Sequence, residues 1–509
     1  MRSKSGTWLH VRELLSALAL PQLALCCLAL CGVAACEGPP PSAFIGGAAS
    51  SGRATSLGTD AGGDACNLLP SGSANSADIY CGTWQLPAAH VRVAGTGDPA
   101  SLHALATTGP WRETLDLRYA CEAPVATTIL GSEPALVMQC TRRVGGWPQI
   151  ALAAAIGGKA YLADGILPTL PVMERAIGVQ SGRVTANVAS MPRSETDALL
   201  ARQLASHAFS ATDVGDYQKL MALGARNNLA ENFAAAETAY RAALALQQKA
   251  LGKANPDTVD AMMSLALQLS DQQRFSEADA LFRQAEPLAA KSTDKAAPAR
   301  LWHYEALNAL NQGRNAQALT LLDRADGGYA SLVPAGSLSG ASSLAATNGT
   351  QTQAVAPVTD AQLMVDPTAQ SSLMGLIEVR RYKAVVLRLL GRPAEGAAAI
   401  DSAETLARTN SMLVPLVAAR LTRTAANIDA ASGESGATAG LARSQQNFSD
   451  VLPQTRPVAE TALLQAREYA ARGDTATAIT LCRGATTLLR ELRSGTDSAL
   501  LQPCLTSFA

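Results

Sequence analysis

Ala236, Tyr240 and Ala243 are followed after 42 residues by Ala278, Phe282 and Ala285, and after a further 40 by Ala318, Leu322 and Ala325. Twelve residues ahead of each trio stands a small residue, Gly224, Ala266 or Ala306, on a helical pattern. Small residues at fixed spacing let two antiparallel helices approach closely, while the larger residue fills the gap toward the next pair. A chain with this repeat is constrained to a stack of helix–turn–helix units, a solenoid whose members touch only their neighbours.

With the small residue of the first helix (helix A) as a phase marker, the series runs Gly224, Ala266, Ala306, Ala384, Ala425 and Ala466, in steps near 41 except for one of 78. Glycine falls seven residues after the marker at Gly313, Gly391 and Gly473, where the chain turns into helix B. Later helices B carry Gly396, Ile400 and Ala403, then Ala478, Cys482 and Ala485; the pair around Ala425 is degenerate, with Ala437, Leu441 and Ser444. These positions predict repeats one to three with a capping helix over 194–326, and repeats four to six over 369–495 with a tail over 496–509. The long step holds an insertion over 327–368, rich in Gly, Ser, Ala, Thr and Asn and expected to be disordered.

The front of the chain is different. Arg2, Lys4 and Arg12 precede an apolar run from Leu14 to Ala35, ending in Val33-Ala34-Ala35-Cys36. The run is long enough to span a bilayer, for which ~20 apolar residues suffice. Pro21 and Gln22 interrupt it, however, and small residues precede Cys36, which favours a signal peptide over 1–35. The tetrapeptide resembles the lipobox of bacterial lipoproteins, which implies lipidation of Cys36 and a membrane anchor on the periplasmic side of the inner or outer membrane. Residues 36–63 read as a flexible tether, being Gly, Pro, Ser and Ala with almost no large apolar side chains. Loss of 1–35 moves the formal charge from −1 to −3, and the absence of a basic excess argues against nucleic acid.

Residues 64–180 hold Trp84, Trp111 and Trp147 and read as a small α+β domain. A helix is expected over Trp111–Tyr119 and another from Leu170 to Ile177. Between them lie three strands, with Ile150, Leu152, Ala154 and Ile156 on one face and a Gly157-Gly158 hairpin. Cys66, Cys81, Cys121 and Cys140 cluster here, in what export makes an oxidising compartment. Local loops favour Cys66–Cys81 and Cys121–Cys140 among three pairings. Neither a metal site nor a cofactor is expected, since the spacings are long and no His stands in ligand register. Asp164, Glu174, Arg175, Arg142 and Arg143 are the polar candidates of a small enzyme, or simply a solvated rim. Cys482 is assigned to packing or to a staple with Cys504.

The small/small/aromatic/small pattern resembles tetratricopeptide repeats, and the linker Ala250–Thr258 resembles the 42-residue variety of kinesin light chains. The stretches Tyr80–Trp84, Arg142–Pro148, Ala163–Gly165, Glu174–Gly178 and Arg380–Tyr382 resemble the front half of bacterial tetratricopeptide proteins that end in a CHAT domain. That domain is a caspase-like peptidase needing a His and a Cys in a module of its own, for which no room is expected here. The resemblance therefore implies a mainly α chain, a solenoid of about six helix pairs behind the small disulfide-bonded domain, with the scaffold but not the catalytic module. It leaves the alternative of the sensor half of a CHAT peptidase system, working in trans or cut from a longer protein.

With the marker as position eight of a repeat, positions two, five, nine and twelve face the concave side. They supply Asn228, Arg300, His303, Arg381, Arg388 and Arg467. Arginines in such a groove suit a carboxylate or acidic peptide, although intrahelical pairs such as Glu378 with Arg381 would leave only a solvated face. A non-catalytic, membrane-tethered scaffold that takes a protein or peptide ligand in this groove is the expectation.

Overall fold

The computed structural model describes residues 54–71, 75–82, 87–143, 145–184, 195–206, 209–333, 372–410, 412–433, 436–492 and 504. All fall in one compact unit beginning at Gly46. The signal peptide, Cys36 and Trp84 lie outside the described residues.

The N-terminal domain is a nine-stranded antiparallel sheet in place of the expected three-stranded meander. Its strands are β1 (Thr55–Thr59), β2 (Ala65–Pro70), β3 (Ser76–Cys81), β4 (Ala89–Thr96), β5 (Tyr119–Cys121), β6 (Val125–Ile129), β7 (Glu133–Arg142), β8 (Pro148–Ile156) and β9 (Lys159–Ile166). They run in the order β1-β2-β3-β4-β9-β8-β7-β5, with β6 also paired to β7. β8 is buried along its whole length because both faces of the sheet are covered. Ile150, Leu152, Ala154 and Ile156 face α3 (Leu170–Gln180) and the solenoid. Ala151, Ala153 and Ala155 face α1 (Pro99–Thr107) and α2 (Pro110–Arg118) through Leu102, Trp111 and Leu115. The β8–β9 turn places Gly157 and Gly158 at φ 58° and 76°, the left-handed pair a tight hairpin requires.

The expected tether overlaps the sheet: β1 sits inside it, pairs with β2 and buries Leu57 completely. Disulfides Cys66–Cys81 and Cys121–Cys140 join residues directly opposite each other, on β2 and β3 and on β5 and β7. Each staples a short strand that offers few apolar side chains of its own. Closing loops of this size contributes about 3 kcal/mol by restricting the unfolded chain.

After α4 (Glu195–Ser206) come six helix pairs: α5 (Ala211–Leu229) with α6 (Phe233–Leu251), α7 (Val259–Asp271) with α8 (Phe275–Ala289), and α9 (Ala297–Asn311) with α10 (Asn315–Ala330). They continue as α11 (Ser372–Leu389) with α12 (Pro393–Thr409), α13 (Pro415–Ser432) with α14 (Ala437–Val451), and α15 (Arg456–Ala471) with α16 (Thr475–Glu491). The helix-B trios predicted from sequence are buried throughout, including the degenerate Ala437, Leu441 and Ser444. Size complementarity explains the small positions. A Cβ on Gly224 would lie 2.6 Å from the Tyr240 ring, and one on Gly375 would lie 2.5 Å from the Tyr329 ring. Tyr329 was assigned to the insertion by sequence, but α10 continues through Ala330 and buries it against α11, so the stack runs directly from the third pair to the fourth. The rest of the insertion, 334–371, lies outside the described residues.

The turn seven residues after each marker is left-handed in all six pairs: Glu231, Gln273, Gly313, Gly391, Gly433 and Gly473 have φ between 57° and 86°. Gly433 corrects the fifth marker by one, to Ala426, which is 1% exposed. In the last pair Cys482 occupies the large-residue slot and bonds to Cys504, itself buried.

The sheet joins the solenoid through Trp147, fully buried, which stacks on Tyr217 of α5 at 3.8 Å between ring centroids and meets Phe209 at 4.3 Å. Gly146 precedes it with φ 65°, and any Cβ there would come within 2.3 Å of the Asp257 carboxylate. Gln247 donates to the Gly145 and Asp257 carbonyls at 2.7 and 2.8 Å, and Arg142 donates to Gln218 at 3.0 Å. Trp147→Ala is expected to lower the unfolding free energy by about 3–5 kcal/mol in urea titrations. At the second turn the strain of a non-glycine left-handed residue is separable: Gln273→Gly is expected to add about 1 kcal/mol in the same assay.

Candidate functional site

The six helices A present matching rungs to one side of the stack, and the rungs are charged. At position two they carry Gln218, Asp260, Arg300, Glu378, Arg420 and Glu460, so that opposite charges fall one repeat apart. Arg300 reaches back to Asp260 at 3.3 Å and also holds Asp294 at 2.8 Å. Arg420 reaches back to Glu378 at 3.1 Å, while Arg381 binds the same carboxylate at 2.8 Å. Burial alone would raise the Glu378 carboxyl, but Arg381 and Arg420 outweigh it and hold it at about 2. Arg381 also lies over the Tyr382 ring at 3.9 Å.

These contacts revise the groove expected from sequence. Arg300, His303 and Arg381 lie on the expected rungs but are 1%, 1% and 5% exposed. Arg300 and Arg381 are structural members of an ion-pair ladder with His303 packed beside it, and Glu378 with Arg381 is the intrahelical pair that competed with a binding role. His303 packs edge-on to Tyr304 and Tyr329, with Tyr382 tilted against it, and its ring nitrogens have no hydrogen-bond partner among the described residues. Burial, with Arg381, Arg420 and Arg300 nearby, lowers its pKa to about 3 and keeps it neutral. Asn228 accepts from Gln268 of the next repeat at 3.1 Å.

Arg388 and Arg467 differ. Arg388 is half-buried and has no ion-pair partner among the described residues; burial and the neighbouring Arg467 both depress its pKa. Arg467 keeps 43% of its side chain exposed and, among the described residues, pairs only with the adjacent Glu468, at 3.4 Å. The ladder breaks here because the fifth repeat offers Asn427 and Ala430 at the corresponding rungs. Leu310 and Val385, both part-exposed, share these rungs, while Leu307 is buried.

Sequence reading missed the contact that closes the stack. Glu231, the left-handed residue of the first turn, lies 3.7 Å from Arg423 of α13 and 3.5 Å from Arg456 of α15. Arg456 in turn holds Glu460 at 2.7 Å and lies over the Phe233 ring at 5.5 Å. The first repeat thus touches the fifth and sixth, and the helix-A face curls back on itself. The signal present in the sequence was a glutamate where the other turns prefer glycine.

The polar residues suspected of an enzymatic role are placed structurally. Glu174 accepts from Leu130 N at 2.7 Å and from the Thr196 hydroxyl. Arg175 donates to the Leu57 and Thr59 carbonyls at 2.6 and 3.2 Å, and Arg143 donates to the Asp116 carbonyl at 2.8 Å. Asp164 pairs with Arg118 at 2.9 Å. Asp60, Cys66 and Cys81 come within ligand reach of one another, but the two sulfurs are bonded together and Asp60 accepts from Gly62 and Asp64.

No protein-family model matches the sequence, and no curated protein does. Solved structures that overlay on the chain include BtubC from P. vanneervenii, with 14% identity, 53% of this chain and 94% of that one covered, and a TM-score of 0.33. Others are kinesin-light-chain TPR-like repeats from Podosopora anserina (14% identity, 47% and 97% covered, TM-score 0.31) and aspartyl phosphate phosphatase F from Bacillus subtilis (10%, 65% and 85%, 0.35). At these scores the TPR-like architecture stands on the chain's own repeat geometry.

Burial and the Glu460 carboxylate raise the Glu231 pKa to about 7 against the pull of Arg423 and Arg456; burial also raises Asp271, near Arg456, to about 7. Groups raised in the folded state contribute stability that is full below their ordinary range and is lost as pH rises through about 7. These two groups lower stability between pH 5 and about pH 8, opposed up to pH 6.5 by His303, which stays neutral in the folded chain; Glu231→Gln is therefore expected to gain stability relative to wild type as pH rises across this range, as read from urea midpoints.

Proposed function

We propose that the chain is a non-catalytic scaffold that binds a protein segment on its helix-A face, with Arg388 and Arg467 taking an acidic group of the partner. The observation that carries this reading is the break in the ladder, where two neighbouring arginines lack acids one repeat away and share their rungs with the part-exposed Leu310 and Val385. A carboxylate offered by an extended segment would meet paired, planar donors there, and its apolar side chains would cover Leu310 and Val385. The position-two rungs from the second repeat to the sixth are occupied by the protein's own ion pairs, which directs the site to Arg388 and Arg467 of the fourth and sixth repeats.

We place the scaffold at the bacterial cell envelope, tethered through a lipid on Cys36. The support is the basic, apolar and small-residue succession ahead of that cysteine, together with three disulfides that suit an exported chain. Among the described residues no helix is long and apolar enough to cross a membrane.

Crosslinking from intact membranes with the full chain tests both parts. The expected result is enrichment of one envelope protein, lost in the Arg388→Glu/Arg467→Glu double variant while its circular dichroism and melting temperature stay at the wild-type values. Cys36→Ser is expected to move the chain out of the membrane fraction. Unchanged capture by the double variant would remove this surface from consideration.

A further inference from the structure

Lysine is sparse in the solenoid and unevenly used. Lys219 is paired with Asp64, and Lys383 lies 2.9 Å from Asp323. The other four recur with the repeat. Lys249 lies in the last turn of α6 and Lys253 follows it, while Lys291 and Lys295, each 42 residues on, lie between α8 and α9. All four are exposed, and among the described residues none is in a salt bridge. A helix dipole favours a cation at the helix end, which accounts for Lys249 and Lys291. Lys253 and Lys295 precede the next helix, where the same dipole disfavours a cation, so helix stability does not account for them.

Helices A run parallel through the stack, so the connectors leading into them share one edge. Arg300 ties the two lysine-bearing connectors together, holding Asp260 at the start of α7 and Asp294 beside Lys295. The acids lie beneath the lysines. Asp260 and Asp294 are 6% and 8% exposed, and Asp257 is half-buried against Gly146. With Arg300 included, five cations meet these three carboxylates. Asp213, at the start of α5, offsets Lys249 in part. The outer layer of the edge is therefore cationic, on a chain whose formal charge is −1.

The N-terminal domain sits at the same edge. Asp257 meets Gly146, and a Cβ on Gly62 of the β1–β2 turn would lie 3.8 Å from the Ala211 carbonyl at the start of α5. The chain thus enters the sheet one strand away from the edge. Cys36 stands 19 residues before Thr55, and a stretch of that length rich in Gly, Ser and Ala has a typical span of about 25 Å. We propose that this edge faces an anionic phospholipid surface, with Lys253, Lys291 and Lys295 against the headgroup phosphates. This orientation rests on the lipid on Cys36 put forward above, because an excess this small turns a tethered chain toward the bilayer and does not hold a free one. A lipid-held chain also meets headgroups before any soluble acidic protein, which favours the bilayer as the occupant.

The test places the full chain, isolated from membranes, on vesicles of phosphatidylcholine and on vesicles of phosphatidylcholine with phosphatidylglycerol. Flotation with both is expected and reads the lipid on Cys36. Acetylation by a water-soluble N-hydroxysuccinimide ester, followed lysine by lysine in a mass spectrometer, reads the edge. Lys253, Lys291 and Lys295 are expected to react about fivefold more slowly on the anionic vesicles, the factor for one lysine held at such a surface. Lys159, at the opposite end of β8 from Trp147, is expected to react equally on both. The slowing is expected to vanish at about 1 M salt, where the screening length is about 3 Å. Lys253→Gln with Lys295→Gln is expected to abolish it at Lys291, while flotation, circular dichroism and melting temperature stay at wild-type values. Lys253→Arg with Lys295→Arg is expected to keep it. A chain that floats but reacts equally on both vesicles overturns the orientation and leaves the anchor standing. A chain that does not float with the neutral vesicles overturns both. Equal slowing of Lys159 overturns the orientation as well, and so does stronger slowing by soluble polyglutamate than by anionic vesicles, which would assign the lysines to an acidic protein.

Discussion

The distance between helix A and helix B within each pair sets everything else. Where the marker is glycine or alanine, the opposite helix places a ring or a branched side chain directly against backbone, as Tyr240 does at Gly224. The close approach leaves no room for a longer connection, so the chain must reverse within a few residues, and a left-handed residue does this in all six turns. The same approach brings equivalent positions of neighbouring helices A within salt-bridge reach. The ladder Asp260–Arg300 and Glu378–Arg420 is thus a consequence of spacing as much as of charge.

Glycine supplies four of the six left-handed turns without steric strain, while Glu231 and Gln273 adopt the conformation at a cost of about 1–2 kcal/mol each. The two cases diverge. Among the described residues the Gln273 side chain makes no hydrogen bond, and its backbone N–H donates to the Ser270 carbonyl at 2.8 Å. Glu231 points a carboxylate across to two arginines of distant repeats. Non-glycine strain persists where surroundings over-determine it, and at Glu231 Arg423 and Arg456 do so. A solenoid held by nearest-neighbour contacts is flexible along its length; a contact between its first and fifth or sixth members restrains that flexing and fixes the curvature of the helix-A face.

The parts legible in sequence were those governed by a period. The helix-B trios, the markers and the turn glycines follow from spacing alone, and the fifth marker slipped by one because Ala425 and Ala426 are adjacent and Gly433 was not used to choose between them. The sheet was legible only at β7, β8 and β9, whose long apolar runs alternate cleanly. β1 to β3 bury one to three residues each and rely on the Cys66–Cys81 bond, so their pattern is too short to rise above a loop. The groove was read on the correct rungs, yet which arginines are free depends on pairing across repeats. Opposite charges 40 and 42 residues apart were the available signal, and sequence reading looked for pairs within one helix instead.

Charge placement separates the candidate surface from the framework. Where an arginine meets an acid one repeat away, both become buried and the pair is fixed; removing either partner would leave an uncompensated buried charge. Arg388 and Arg467 meet Ala430 and Asn427 instead. An unpaired cation held half-buried is unfavourable in the free protein, through lost solvation and through repulsion from its neighbour. That unfavourable energy is recovered when an anion arrives. The positions where the charge pattern fails to close are therefore the positions where the solenoid gains most from a partner.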